Sequence, residues 1–221
     1  MHFPQNVHEP RAKMATRDAV ENFAEEVAHR YDFHQVHQPG YAPDKLHKMV
    51  LALIGQLGGR IFRGETPGPT KNRRDYSLVA FAMDDFIIAP FGSDWPALRK
   101  TQVVVNASEL GHLFLHYPEI LVAGGENAVM ACPRHAEAQC EIEARWFAET
   151  LIFPRAAFQA AWDYHKGVAS AIAHEYDVTE RLVRARAERL GYILPEVLKD
   201  QMPSRCHRPG KSAPVSHVIT L

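Results

Sequence analysis

Three short apolar runs between helical segments most constrain the fold of this chain. The runs read GGRIFRG, YSLVAFAM and DFIIAPF, and they follow one another within residues 58–91. β-Branched and aromatic residues bounded by glycine, proline and aspartate are typical of strands. Because Asp84-Asp85 marks a turn between the last two runs, we predict a small antiparallel sheet.

Segments with helical periodicity surround this predicted sheet. Thr16–Arg30 places its apolar residues on one face, and a second helix begins after Asp44 and ends at Gly58-Gly59. Further helical patterns cover residues 93–116 and most of residues 135–191. We therefore predict an α+β protein that is mostly helical, with one small antiparallel sheet and a helical C-terminal segment.

Length and composition set the predicted domain boundaries. A chain of 221 residues fits one domain. Residues 1–15 are predicted to be an irregular N-terminal lead-in and residues 16–200 the domain itself. Residues 201–221 are rich in proline, serine and basic residues, which predicts a disordered tail. With a formal net charge of -1, nothing global favours a nucleic-acid or membrane partner.

The cysteines indicate a reducing compartment. Cys132, Cys140 and Cys206 are odd in number and lack C-x-x-C spacing, so inert thiols are the favoured interpretation. No apolar run has the length of a membrane span, and the N-terminus lacks the apolar core of a secretory signal. We therefore predict a cytoplasmic protein with no membrane partner.

The segment NASELGHLFLH, residues 106–116, places Glu-x-x-His on a predicted helix. Positions 108 and 112 share one face of that helix, with Glu109 beside them. With histidine at both positions the segment would read H-E-L-G-H, in which two imidazoles hold zinc and the glutamate accepts a proton from bound water. Since Glu-x-x-His alone often occurs by chance, its meaning depends on the rest of the chain.

A second motif downstream supplies that context. The pair SELGHLFLH and EIEARWFAETLIFP resembles the ImmA/IrrE family of zinc metallopeptidases, which combine a helix H-E-L-G-H-x-x-x-H with a later helix E-x-E-A-n-x-F-A-x-x-L-L-x-P. LIGQLGGRIF and DVTERLVRARAERLG are similar to other parts of that family. The resemblance covers most of residues 16–192 and implies that residues 16–200 form a zincin-like domain.

The resemblance implies a zinc metallo-endopeptidase and a role for each matching residue. Glu109 would be the general base, His112 a zinc ligand, and Glu141 the carboxylate ligand from the second helix. Glu143 is the alternative carboxylate ligand. His116 is a substitute ligand, a partner of a ligand, or a buried structural histidine.

Ser108 departs from the family's pattern, because it stands where the first zinc-binding histidine belongs. A hydroxyl is a poor zinc donor, so we expect weak or absent zinc binding. Three interpretations stay open: a degenerate member without metal or peptidase activity, which we prefer, a site rearranged around His112, His116 and Glu141, or a deliberately altered sequence. In the first case, Ser108→His is expected to raise both zinc content and proteolysis.

The resemblance also implies a protein partner. Characterised members of the family are bacterial or phage regulators that cleave or inactivate helix-turn-helix repressors, and a member without activity could still bind one. The alternative is direct DNA binding by residues 168–192, which have the rhythm of a helix-turn-helix and carry Arg181, Arg184 and Arg186. The near-neutral chain and the acidic residues among these arginines argue against that alternative.

Overall fold

The computed structural model describes residues 6–33, 45–61, 76–89, 99–133 and 138–192. The predicted tail at 201–221 and Cys206 lie outside the described residues. The elements in chain order are β1 (Val7–His8), α1 (Arg17–Arg30), α2 (Lys45–Gln56), β2 (Gly59–Ile61), β3 (Tyr76–Ala82), β4 (Asp85–Ile88), α3 (Arg99–Leu115), α4 (Tyr117–Gly124), β5 (Val129–Pro133), α5 (Ala138–Ile152), α6 (Arg155–Tyr164), α7 (Ala169–Glu175) and α8 (Glu180–Arg189). This mostly helical α+β architecture confirms the predicted fold class.

The sheet is small, as predicted, but it is mixed. Its strands have the order β1-β5-β3-β4-β2. The central pairings of β5 with β3 and of β3 with β4 are antiparallel, whereas β1 pairs with β5 and β2 with β4 in parallel. The prediction of an antiparallel sheet was wrong for these outer pairings. A strand of two residues, such as β1 in the predicted lead-in, is too short to show periodicity in the sequence.

The helices follow local sequence cues closely. Thr16 caps α1, since its hydroxyl accepts a hydrogen bond from the Ala19 amide at 3.3 Å. α3 ends at Leu115, one residue before the predicted end of the helical pattern at residue 116. The chain then starts α4, with Pro118 in the first turn. Helix α4 was not predicted, because its apolar residues and glycines resemble a loose connection. Among the residues that the structure describes, no helix is long and apolar enough to cross a membrane.

Close contact between α3 and α5 fixes the two motif helices against each other. A Cβ atom placed on Gly111 would lie 2.8 Å from the carbonyl oxygen of Ala144 and 2.9 Å from its Cα. The missing side chain at Gly111 therefore lets the two backbones approach. Rings of Phe114 and Phe147 stack beside this contact, with centroids 5.6 Å apart. The helices are thus held in one relative position.

Gly111→Ala should therefore destabilise the protein. Backbone atoms of Ala144 cannot move aside as a side chain can, so the helices must separate, at a cost of about 1–3 kcal/mol in the free energy of unfolding. Urea denaturation measures the change. Gly55→Ala in α2 is the control, because nothing lies within 4 Å of the Cβ it adds. That variant should gain about 1 kcal/mol from helix propensity. Equal effects at both glycines would contradict the close-contact explanation.

Candidate metal centre

The two motif helices meet at His112. This residue of α3 is 1 % exposed, and its Nε2 atom lies 3.5 Å from Oε1 of Glu141 on α5. The Glu141 side chain is 38 % exposed, so the pair lies where the core reaches solvent. Burial acts to raise the pKa of Glu141, but the neighbouring His112 holds it below its ordinary value. The two residues that carry the resemblance therefore face each other.

Two consecutive buried hydrogen bonds connect His112 to His116 and His116 to Glu143. Its Nδ1 atom lies 3.0 Å from Nδ1 of His116, and Nε2 of His116 lies 3.1 Å from Oε2 of Glu143. The Glu143 carboxylate also accepts hydrogen bonds from the Lys13 amide at 2.9 Å and from the Gln139 side chain at 3.3 Å. Glu143 thus contacts His116, whereas Glu141 contacts His112. The two candidate carboxylates differ in position.

The charge of Glu143 determines which ring nitrogen of His116 carries the proton. Burial lowers the pKa of His116 to about 4, helped by the neighbouring His112, so His116 is neutral at pH 7. Burial acts to raise the pKa of Glu143, but its three hydrogen bonds hold it below the ordinary value, and the carboxylate is charged. His116 therefore donates from Nε2 and accepts at Nδ1.

This assignment fixes the direction of the hydrogen bond between the two histidines. Because Nδ1 of His116 accepts, Nδ1 of His112 must donate. The remaining ring nitrogen, Nε2, lies on the side of the Glu141 carboxylate, 3.5 Å from its Oε1 atom. An imidazole whose other nitrogen donates to a partner is also the usual state of a metal ligand.

Glu109 and Cys132 lie beside the same histidine. Ligand atoms of Glu109, His112 and Cys132 all lie within 4.8 Å of one another, and all three residues are buried. The Ser77 hydroxyl of β3 donates a hydrogen bond to Oε2 of Glu109 at 3.1 Å. It also lies 3.4 Å from the carbonyl oxygen of Cys132 on the neighbouring strand β5. The sheet therefore contributes residues to the centre.

The sequence analysis missed Ser77 and Cys132. Neither belongs to a spacing pattern with His112, because they reach it from separate strands. Burial raises the pKa of the Cys132 thiol well above its ordinary value, and the nearby carboxylates of Glu109 and Glu141 add to the effect. The interpretation of Cys132 as an inert thiol stays a prediction, but the thiol lies beside ligand atoms of Glu109 and His112.

Ser108 lies on α3 one turn before His112 and is half-buried. It occupies the position that the resemblance assigns to the missing histidine. A side chain of this length ends near the helix surface, far short of the reach of an imidazole. Position 108 therefore does not supply the imidazole ligand that the resemblance implies.

The arginines of the candidate DNA-binding segment mostly have other roles. Arg186 is 1 % exposed, and its Nε donates to the carbonyl oxygen of Phe153 at 2.9 Å. The alternative of direct DNA binding included Arg186, but the guanidinium of Arg186 is buried in the core and does not form part of an exposed basic face. Arg184 donates to Glu180 at 2.7 Å, and Arg181 is exposed. Two helices joined by a turn, α7 and α8, are present, but this arginine face is largely occupied.

Comparison with known proteins identifies the segment that holds this centre. Residues 99–188 match the family model described as the IrrE N-terminal-like domain, and this range includes both α3 and α5. No match was found among curated proteins or among solved structures. The match and the two motif helices agree in position and order. Residues 99–188 are therefore similar to the IrrE N-terminal-like domain, which is the part of the chain that carries the resemblance to ImmA/IrrE metallopeptidases.

Proposed function

We propose that this chain is a zinc-dependent peptidase of the ImmA/IrrE type that regulates transcription by cleaving a helix-turn-helix repressor. One observation carries the proposal: Nε2 of His112 and Oε1 of Glu141 lie 3.5 Å apart, at the positions of the family's two motifs. Sequence reasoning preferred an inactive member because of Ser108. The ligand atoms around His112 favour a member that binds metal.

The residues present fit a zinc ion. Imidazole, carboxylate and thiolate are the donors that zinc takes in proteins, and all three types are found at this centre. His112 and Glu141 would hold the ion, and the hydrogen bonds through His116 to Glu143 would fix the ring of His112. When bound, zinc would polarise the peptide carbonyl and lower the pKa of a water molecule to about 7.

Glu109 would transfer the proton during hydrolysis of the peptide bond. It is buried beside His112, and the hydrogen bond from Ser77 orients its carboxylate. In this position Glu109 would accept the proton of the attacking water and deliver it to the amine that leaves. Ser77 would act through Glu109 as a positioning residue.

The repressor as substrate rests on the family likeness. A peptidase that acts on a folded regulator must receive an extended segment of it, and the edge of a sheet can bind such a segment through main-chain hydrogen bonds. Cleavage of the repressor would then release the genes that it silences.

Zinc analysis tests the metal part of the proposal. We expect stoichiometric zinc in the purified full-length protein. We expect the zinc to be lost in His112→Ala, because that change removes the imidazole ligand that α3 contributes. His174→Ala on α7 is the matched control, since His174 is exposed. Wild-type protein with no zinc, or equal zinc in the wild type and His112→Ala, would overturn the metal site.

Incubation with repressors tests the substrate. Each helix-turn-helix repressor encoded in the source genome would be mixed with the protein, and its fragments identified by mass spectrometry. We expect defined cleavage of one repressor with the wild type and none after chelation or with His112→Ala. Binding of an intact repressor without fragments would instead make the chain a regulator that acts by binding alone.

A further inference from the structure

Cys132 faces the candidate metal centre because of its place on β5. Along a strand, side chains alternate between the two faces of the sheet. Val129 and Ala131 belong to a small apolar cluster on one face, whereas Met130 and Cys132 belong to the main core, together with Leu110 of α3. The thiol therefore points towards the motif helix, and it is fully buried there.

The surroundings of Cys132 are unusual for a packing residue. Its sulfur lies within 4.8 Å of ligand atoms of both Glu109 and His112. Its hydrogen bond to the Pro133 carbonyl is long, at 3.8 Å, and a thiol is a weak donor. A buried cysteine that serves only for packing is usually surrounded by apolar side chains. The thiol of Cys132 instead lies against a carboxylate and an imidazole. Those neighbours are themselves potential metal ligands.

We propose that Cys132 coordinates the zinc ion as a thiolate and supplies the donor that Ser108 lacks. The ligand set would then be His112, Cys132 and Glu141, and Glu109 would remain free of the metal to act as the base. On binding, the sulfur–hydrogen bond breaks, its proton goes to solvent and its electron pair forms the sulfur–zinc bond. This inference rests on the proposed function, because it concerns the same ion.

The position of Cys132 allows it to replace the histidine ligand that is missing at position 108. Ser108 lies on α3, one turn before His112, and Cys132 lies on β5, with its sulfur within 4.8 Å of a ring nitrogen of His112. A ligand lost from the helix can therefore be replaced from a strand of the sheet. Thiolate binds zinc strongly, so this exchange would maintain affinity where a hydroxyl could not.

Cobalt spectroscopy distinguishes a thiolate ligand from nitrogen and oxygen ligands. Co²⁺ added to the metal-free full-length protein should give visible ligand-field bands and an intense near-ultraviolet band from sulfur-to-cobalt charge transfer. We expect Cys132→Ala to remove the charge-transfer band and to weaken cobalt affinity by more than about a hundredfold, above the usual loss for an outer-shell partner. Cys140→Ala, which removes the other buried thiol of the described residues, should keep both.

A compensating substitution guards against a simple folding defect. In the double variant Ser108→His with Cys132→Ala, the restored imidazole should recover tight cobalt binding with ligand-field bands but no charge-transfer band. Recovery of this kind would show that a side chain at position 108 or at position 132 can supply the third protein ligand.

The outcomes separate this inference from the proposed function. Cobalt bound by the wild type without a charge-transfer band, or with one that persists in Cys132→Ala, would overturn the role of Cys132. The metal site and the proposed peptidase would still stand in that case. Absence of any cobalt or zinc binding by the wild type would overturn both.

Discussion

Arg186→Ala is expected to lower the free energy of unfolding by about 3 kcal/mol. The guanidinium is 1 % exposed, and it donates to the carbonyl oxygen of Phe153 at the end of α5. It also lies 3.3 Å from Glu25 and 3.6 Å from Glu21, both on α1. Arg186 therefore joins three helices, and truncation leaves a buried carbonyl and two carboxylates with fewer partners.

The expected loss is near the low end of the range for breaking a buried ion pair, which is about 3–5 kcal/mol. Glu21 keeps hydrogen bonds from Arg17 and Arg189, each at 2.7 Å, so its charge is still compensated. The side chain of Glu25 is 29 % exposed and can recover water. The buried Phe153 carbonyl therefore carries most of the penalty.

Arg181→Ala is the matched control, because Arg181 lies on the same helix and is exposed. Its loss should change stability by less than about 0.5 kcal/mol. Urea denaturation of the two variants measures the difference. A similar small effect at both positions would contradict a structural role for Arg186 and would restore it as a candidate for contact with a partner.

Arg186 also shows where sequence reasoning fails. Four arginines within residues 181–189 predict a basic face, and sequence spacing alone does not reveal that one of them points inward. The deciding partners, Glu21 and Glu25, lie in α1, more than a hundred residues away along the chain. Burial of a charge is a property of the tertiary fold, so a local pattern cannot supply it.

The motif helices were predictable for the opposite reason. Helical phase places Ser108 and His112 on one face of a single helix, and the second motif repeats a known spacing around Glu141. The close contact of Gly111 with Ala144 was not predicted, although both are small residues of the kind that lets two helices approach. Cys132 and Ser77 reach the site from β5 and β3 through strand pairing, which leaves no spacing pattern in the sequence.

Glu109→Gln is expected to reduce repressor cleavage by about 10²–10⁴-fold, the usual contribution of a general base. Glutamine keeps the shape of the side chain and can still accept the hydrogen bond from Ser77, but it cannot take a proton from water. Zinc content should equal that of the wild type, because the proposed ligands are His112, Cys132 and Glu141. Elemental analysis and the cleavage rate would be measured on the same preparations.

The closeness of Glu109 to both His112 and Cys132 makes this test informative about its role. Its ligand atom lies within 4.8 Å of theirs, so distance alone is compatible with a carboxylate ligand as well as with a base. If Glu109 held the ion, Glu109→Gln would lose zinc together with activity, and the peptidase mechanism would lack its base. Ser77→Ala is the second arm: it leaves the carboxylate charged but less firmly oriented, so cleavage should slow while zinc content stays constant.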